Sequence, residues 1–288
     1  MRNGVCTIVL FSIMLVLPSC INLKSVQDYT KVSITSISQF EELSYTFNKH
    51  CRDKCLMQSV SRNTIAREID CNCEIYNRAD SVTVVIYNAL RAYFGALGDL
   101  ANNEVTNYNF TPVQKALSEA SIPLNGKTIE ITGEQVTSYT KIASLLLKAT
   151  TNGYRNKKIK NFIVEGNEPV KILAAAFQQI LSQHLAGELN FKKERLYKFY
   201  NEIVLDESSS VFEKRKATAE YYEQAEEVNS KQRQIGALSE SLKKVSEGHE
   251  RLAKSKLSPN ELRELLAPVS TDIRALVSEF NKFKKSEQ

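Results

Sequence analysis

The reactive side chains of this sequence are concentrated in its thiols. Cys51-x3-Cys55 and Cys71-x-Cys73 place four cysteines in one short stretch. Four thiolates could hold a tetrahedral metal ion, and four thiols could instead close two disulfides. The spacings are not the C-x2-C pairs of common zinc sites, and no C-x-x-C redox pair is present. A disulfide framework is the simpler reading. Cys51 and Cys55 lie one helical turn apart, about 6 Å along the axis. Cys71 and Cys73 point the same way on an extended segment, about 6.6 Å apart. The matched spacings predict a nested pairing, Cys55–Cys71 inside Cys51–Cys73, out of three connectivities.

Acid–base chemistry has few candidates, because the only histidines are His50, His184 and His249. His50 sits beside the cysteine stripe with no second ligand at metal spacing. His184 follows the Phe177 face and reads as a hydrogen-bonded core histidine. His249 falls on an a/d seam, where a polar residue sets register. The chain has no G-x-S-x-G, no H-E-x-x-H, no glycine-rich phosphate loop and no dinucleotide fingerprint. The sequence therefore assigns no catalytic residue, no cofactor and no metal ligand. It favours a binding or scaffolding protein over an enzyme built on dispersed carboxylates. A membrane-active, pore-forming protein is the other alternative, with residues 81–100 as the inserting element.

A fifth thiol, Cys20, closes a different pattern. Arg2 precedes an apolar run over residues 7–17, which ends in Leu17-Pro18-Ser19-Cys20. Charge, apolar core and small residue before the cysteine are the layout of a secretory signal peptide. The run is shorter than the roughly 20 residues a bilayer-spanning helix needs. The last four residues resemble the lipobox of bacterial lipoproteins, with Pro18 departing from the usual pattern. The resemblance covers the first twenty residues only. It implies cleavage of residues 1–19 and acylation of Cys20 by palmitate-type chains, and so a lipid anchor in the cell envelope. Ile21 follows the cysteine where aspartate would signal inner-membrane retention, so the resemblance points to the outer membrane, facing the periplasm.

Composition agrees with a folded exported domain. Hydrophobic residues make up 42% and charged residues 25%. The net charge of +5 is spread along the chain and does not suggest nucleic acid as a partner. The expected partners are membrane lipid, through the acyl anchor, and a protein or a second copy of the chain.

The elements that must position these residues follow from periodicity. Residues 20–35 read as a lipidated tether. Ser38 and Glu41 have capping-box spacing, and Phe40, Leu43, Phe47, Cys51 and Cys55 share one face of a single helix. Residues 80–101 form a second helix. Residues 102–133 are irregular, with a short helix opened by Thr111-Pro112 and a turn at Asn125-Gly126. Thr132 to Gln135 repeats the capping-box spacing. A long helix opens at Asn167-Glu168-Pro169 and bends at Gly187. Two short basic runs, residues 157–160 and 192–195, read as solvated faces, with anionic headgroups as the sharper alternative. The tail carries Ile235, Leu238, Leu242, Val245, His249 and Leu252 at alternating steps of three and four, an a/d seam. Ser258-Pro259-Asn260-Glu261 starts the last helix, and Pro268 should kink or split it. The fold class is all-α: an elongated helical bundle with a disulfide-pinned N-terminal helical hairpin and a C-terminal coiled-coil-like hairpin. The helical domain spans residues 36–288, with a subdivision into 36–166 and 167–288 left open.

Overall fold

The computed structural model describes residues 23–65, 69–102, 117, 121–149, 157–256 and 258–285. The expected signal peptide, Cys20 and the helix expected after Thr111-Pro112 lie outside these residues. Helices α1 (Lys24–Glu42), α2 (Phe47–Ser61) and α3 (Glu74–Asn102) come first. A hairpin of β1 (Ser121–Leu124) and β2 (Lys127–Glu130) follows, then α4 (Gly133–Ala149) and α5 (Lys157–Gln179). A π-helical turn (Ile180–Leu185) joins α5 to α6 (Ala186–Leu205). The chain ends in α7 (Val211–Lys254) and α8 (Pro259–Lys285). The expected all-α, elongated bundle is the observed architecture. The 44 residues of α7 alone run about 66 Å at 1.5 Å per residue.

The first correction concerns residues 24–35, expected to be part of the tether. They form most of α1, and Val26, Tyr29, Thr30, Ser33 and Ile37 on it are buried. Steps of three and four are there, but Thr30, Ser33, Ser36 and Gln39 make half of the buried stripe polar. The small ones let neighbouring backbones approach and return their hydroxyls to nearby groups. Ser33 donates to the Tyr29 carbonyl, and Ser36 Oγ lies 2.6 Å from Ser241 Oγ on α7. Ser38 and Glu41 are consequently inside α1 and cap nothing. The single helix expected to carry both Phe40 and Cys55 is two helices, broken at Ser44, whose φ is +52°. Thr46 restarts the chain, its hydroxyl accepting from the Lys49 amide at 3.1 Å. Asp80 of α3 also accepts from the Phe47 and Asn48 amides, both at 2.9 Å. The exposed amides of the α2 N-terminus are thus satisfied from two sides.

Helix α3 buries Val82, Ile86, Leu90, Tyr93 and Leu97 against α1 and α5. The segment considered for membrane insertion is therefore core. Among the described residues no helix is long and apolar enough to cross a membrane. The turn expected at Asn125-Gly126 closes the β-hairpin, with Gly126 at φ +80°, where a side chain would be strained. Thr132 and Gln135 make the expected reciprocal cap at the start of α4, both bonds 3.2 Å.

Helix α5 starts before Asn167-Glu168-Pro169 and runs through it, so these residues open nothing. The subdivision considered at 166/167 falls inside this helix. The irregularity expected at Gly187 is instead the π turn just before it. Helix α8 continues past Pro268 without dividing.

The seam residues Ile235, Leu238, Leu242 and Val245 are each at most 1% exposed. Burial contributes about 1.5–3 kcal/mol apiece. Their hairpin is not self-contained, because α1 lies across both α7 and α8. Tyr29 donates to the Val245 carbonyl, and Gln39 donates to the Val277 carbonyl at 3.2 Å. One apolar core runs from Leu23 to Phe280.

Candidate functional site

The four cysteines close two bonds, Cys51–Cys73 and Cys55–Cys71, which is the nested pairing. They tie α2 to residues 71–73, which carry no helix or strand and lead into α3. Cys20, the expected lipidation site, lies outside the described residues.

Beside these bonds sits a polar cluster that draws on four parts of the chain. His50 of α2 is completely buried. Its Nε2 lies 2.8 Å from Glu188 Oε2 on α6, and its Nδ1 lies 3.0 Å from the Tyr45 hydroxyl. Asn125, at the hairpin turn, donates to the same Glu188 oxygen at 2.6 Å. Arg195, two turns along α6 from Glu188, brings Nη2 to 3.3 Å from His50 Nε2. A ring with Nε2–H donating to the carboxylate and Nδ1 accepting from Tyr45 satisfies both nitrogens. Lys192 pairs with Asp53 at 3.0 Å on the rim and stands 5.8 Å from the Tyr45 ring centroid.

The electrostatics follow from burial and partners. Burial alone would push the Glu188 carboxyl up. The His50 hydrogen bond, the Asn125 amide and Arg195 outweigh it and hold Glu188 below the usual range. Burial, then the nearby Asp53 and Glu188 charges, push the Tyr45 hydroxyl well above its ordinary value. Burial lowers the Arg195 guanidinium, and the facing tyrosines and carboxylates pull it part of the way back.

Histidine, carboxylate and tyrosine in contact could in principle move protons. Here they cannot meet a substrate, since the His50 side chain is 0% and the Glu188 side chain 3% exposed. The cluster is a closed bracket that fixes α6 against the disulfide-pinned α2.

The other two histidines are also enclosed. His249 is fully buried, with Nε2 2.8 Å from the Tyr93 hydroxyl and Nδ1 3.3 Å from Asn167 Oδ1. Burial lowers it to about 3. His184 is buried in the π turn, but its Nδ1 has no hydrogen-bond partner among the described residues, against the expectation of a hydrogen-bonded core histidine. Burial first, then the charge of Lys127, hold it below its usual value. Among the described residues no group of three His, Cys, Asp or Glu side chains is placed to hold a metal ion.

The basic run 192–195 is not a uniformly solvated face. Lys192 pairs with Asp53, Lys193 donates to Asn229 at 2.8 Å, and Arg195 points inward, leaving Glu194 outside. Glu188, Lys192 and Arg195 stand at i, i+4 and i+7, a spacing normally held by apolar residues. That placement of charge was the available signal for the cluster. The partners Tyr45, His50 and Asn125 are too distant in sequence for periodicity to supply them.

Outside the bracket, an open groove in two parts lies between α2 and α6. The larger has a volume of about 410 Å³ and the smaller about 230 Å³, and both are lined by Met57, Arg195 and Phe199. No protein-family model, curated protein or solved structure matches the chain.

Proposed function

We propose that this chain is a lipid-anchored envelope protein whose helical domain binds or scaffolds other components and performs no chemistry of its own. The observation that carries the reading is the enclosure of all three histidines, each at most 6% exposed. With no imidazole open to solvent and no catalytic motif, the polar clusters serve the fold. The location rests on the lipobox resemblance at Cys20. The nested disulfides support it, since such bonds persist in oxidising compartments such as the periplasm.

Leu23 is only 6% exposed and α1 begins at Lys24. Three residues beyond Cys20 span at most about 10 Å. An acylated Cys20 therefore holds this end of the bundle against the bilayer instead of lifting it off on a tether. Lys24, Arg263 and Arg274 line a cleft there, with Asp28 as the one carboxylate. Cations beside the anchor suit anionic headgroups.

Cell fractionation tests the proposal. The wild-type chain should pellet with membranes through a high-salt wash, and Cys20→Ala should move to the soluble fraction. Wild-type protein released by salt alone would reject the anchor.

A further inference from the structure

The groove between α2 and α6 has two parts whose linings differ in their balance of apolar and charged side chains. Leu56, Met57, Val60, Leu196 and Phe199 line the larger part. Leu56 and Val60 are 48% and 57% exposed on α2, unusual for aliphatic side chains flanked by lysine and arginine. Charged side chains border this apolar strip: Lys192 pairs with Asp53, and Lys49, Arg195 and Glu227 complete the rim. The smaller part shares Met57 and Phe199 but is more strongly cationic. Lys54, Arg62, Arg195 and Lys198 face it, against the single carboxylate of Glu202. Arg62 and Lys198 are exposed and make no ion pair among the described residues. Arg195 stands where the two parts meet, and its buried Nε has no hydrogen-bond partner among the described residues. A buried guanidinium N–H without an acceptor is costly.

We propose that the groove binds one single-chain amphiphile with an anionic head, of the fatty-carboxylate or alkyl-phosphate type. The aliphatic chain lies in the larger part between Leu56, Val60 and Phe199. The head lies in the smaller part, where guanidinium groups match carboxylate or phosphate oxygens. Apolar burial supplies affinity and the cations supply sign selectivity. The occupant is a monomer and not a bilayer surface, because the lining is concave and the two parts together accommodate a single chain. This gives the proposed binding role a ligand class, but it does not depend on the lipid anchor.

The test is calorimetric titration of the full-length Cys20→Ala chain, disulfides intact, with dodecyl phosphate below its micelle concentration. Saturable one-to-one binding is expected. Dodecyltrimethylammonium, with the same chain and the opposite charge, should bind at least about ten-fold more weakly, and inorganic phosphate should give no saturable signal. The exposed double variant R62E/K198E should lose about ten-fold in affinity for dodecyl phosphate, and Val60→Asp should do the same from the apolar side. Melting curves matching the parent show that each variant is folded. Equal affinity for the cationic amphiphile, unchanged affinity in both variants, or binding only to vesicles containing anionic phospholipid would overturn the proposal. Loss of membrane association in fractionation with this titration intact would reject the anchor and leave the groove standing.

Discussion

Tyr29 of α1 packs on the bare backbone of Gly248 in α7: a Cβ placed there would stand 2.6 Å from Tyr29 Cε2 and 2.8 Å from Val269 Cγ1. Both neighbours are buried, and the Tyr29 hydroxyl is tied to the Val245 carbonyl. Neither can swing aside as the end of an exposed side chain could. This contact sets how closely α1 approaches the α7–α8 pair.

Gly248→Ala should therefore destabilise the protein. Overpacking costs about 1–3 kcal/mol, and better helix propensity offsets about 1 kcal/mol of it. Gly236, three turns earlier in α7, is exposed and has nothing within 4 Å of its Cβ position. Gly236→Ala should stabilise by about 0.5–1 kcal/mol. Denaturant melts of the two variants should move in opposite directions. A stabilised Gly248→Ala would mean that α1 is not seated as described.

Breaking the closed bracket should cost more than a surface change. Glu188→Ala leaves His50 and Arg195 without their carboxylate and should cost about 3 kcal/mol, the scale for removing one partner of a buried pair. Glu202→Ala, at the groove edge on the same helix, should change stability by less than about 0.5 kcal/mol. Equal effects in chemical denaturation would show that the cluster contributes no more than an exposed pair.

Acid should weaken the fold before the carboxylates titrate. His249 is lowered to about 3 by burial, and His184 is lowered as well. Between the unfolded value near 6.5 and the folded one, the unfolded chain binds more protons, so stability falls as pH falls. Each such histidine contributes a slope of up to about 1.4 kcal/mol per pH unit there. Glu188, held low, adds loss of the same sign only below the ordinary carboxylate range. His249→Gln should flatten the stability profile between pH 6.5 and 4.5 relative to wild type, whatever its absolute stability. An identical slope would place the titration elsewhere.

The disulfides close loops with sequence separations of 22 and 16 residues. In the chain-entropy model each contributes about 3 kcal/mol, the second less once the first has formed. Reduction should lower the melting temperature and raise amide exchange in α2 first, while the α7–α8 seam stays protected. Non-reducing peptide mapping should recover Cys51–Cys73 and Cys55–Cys71. Crossed links, or four free thiols in the purified protein, would contradict the framework.

The legible parts of the fold were those in which apolar residues keep strict steps, as in the seam from Ile235 to Leu252, and those with local chemistry, as at Thr132–Gln135 and Asn125-Gly126. The disulfide pairing was legible because two local spacings match. Helix α1 was not, because Ser33, Ser36 and Gln39 occupy stripe positions that a polarity count assigns to solvent. Pro169 and Pro268 misled for a related reason, since each lies within a continuous helix despite its expected breaking effect. The His50 bracket depends on Glu188 and Arg195, far along the chain, and only the packing of α6 on α2 brings them together. The groove combines exposed Leu56 and Val60 with Lys198, and no pattern along one helix contains both.

The central claim is that Cys20 is the acylated first residue of the mature protein. Mass spectrometry of the N-terminal peptide from membrane-purified chain, grown with an alkyne-tagged fatty acid, tests it directly. The claim predicts a peptide that begins at Cys20 and carries acyl chains with the tag. An unmodified Cys20, or a mature chain beginning at another residue, would contradict it.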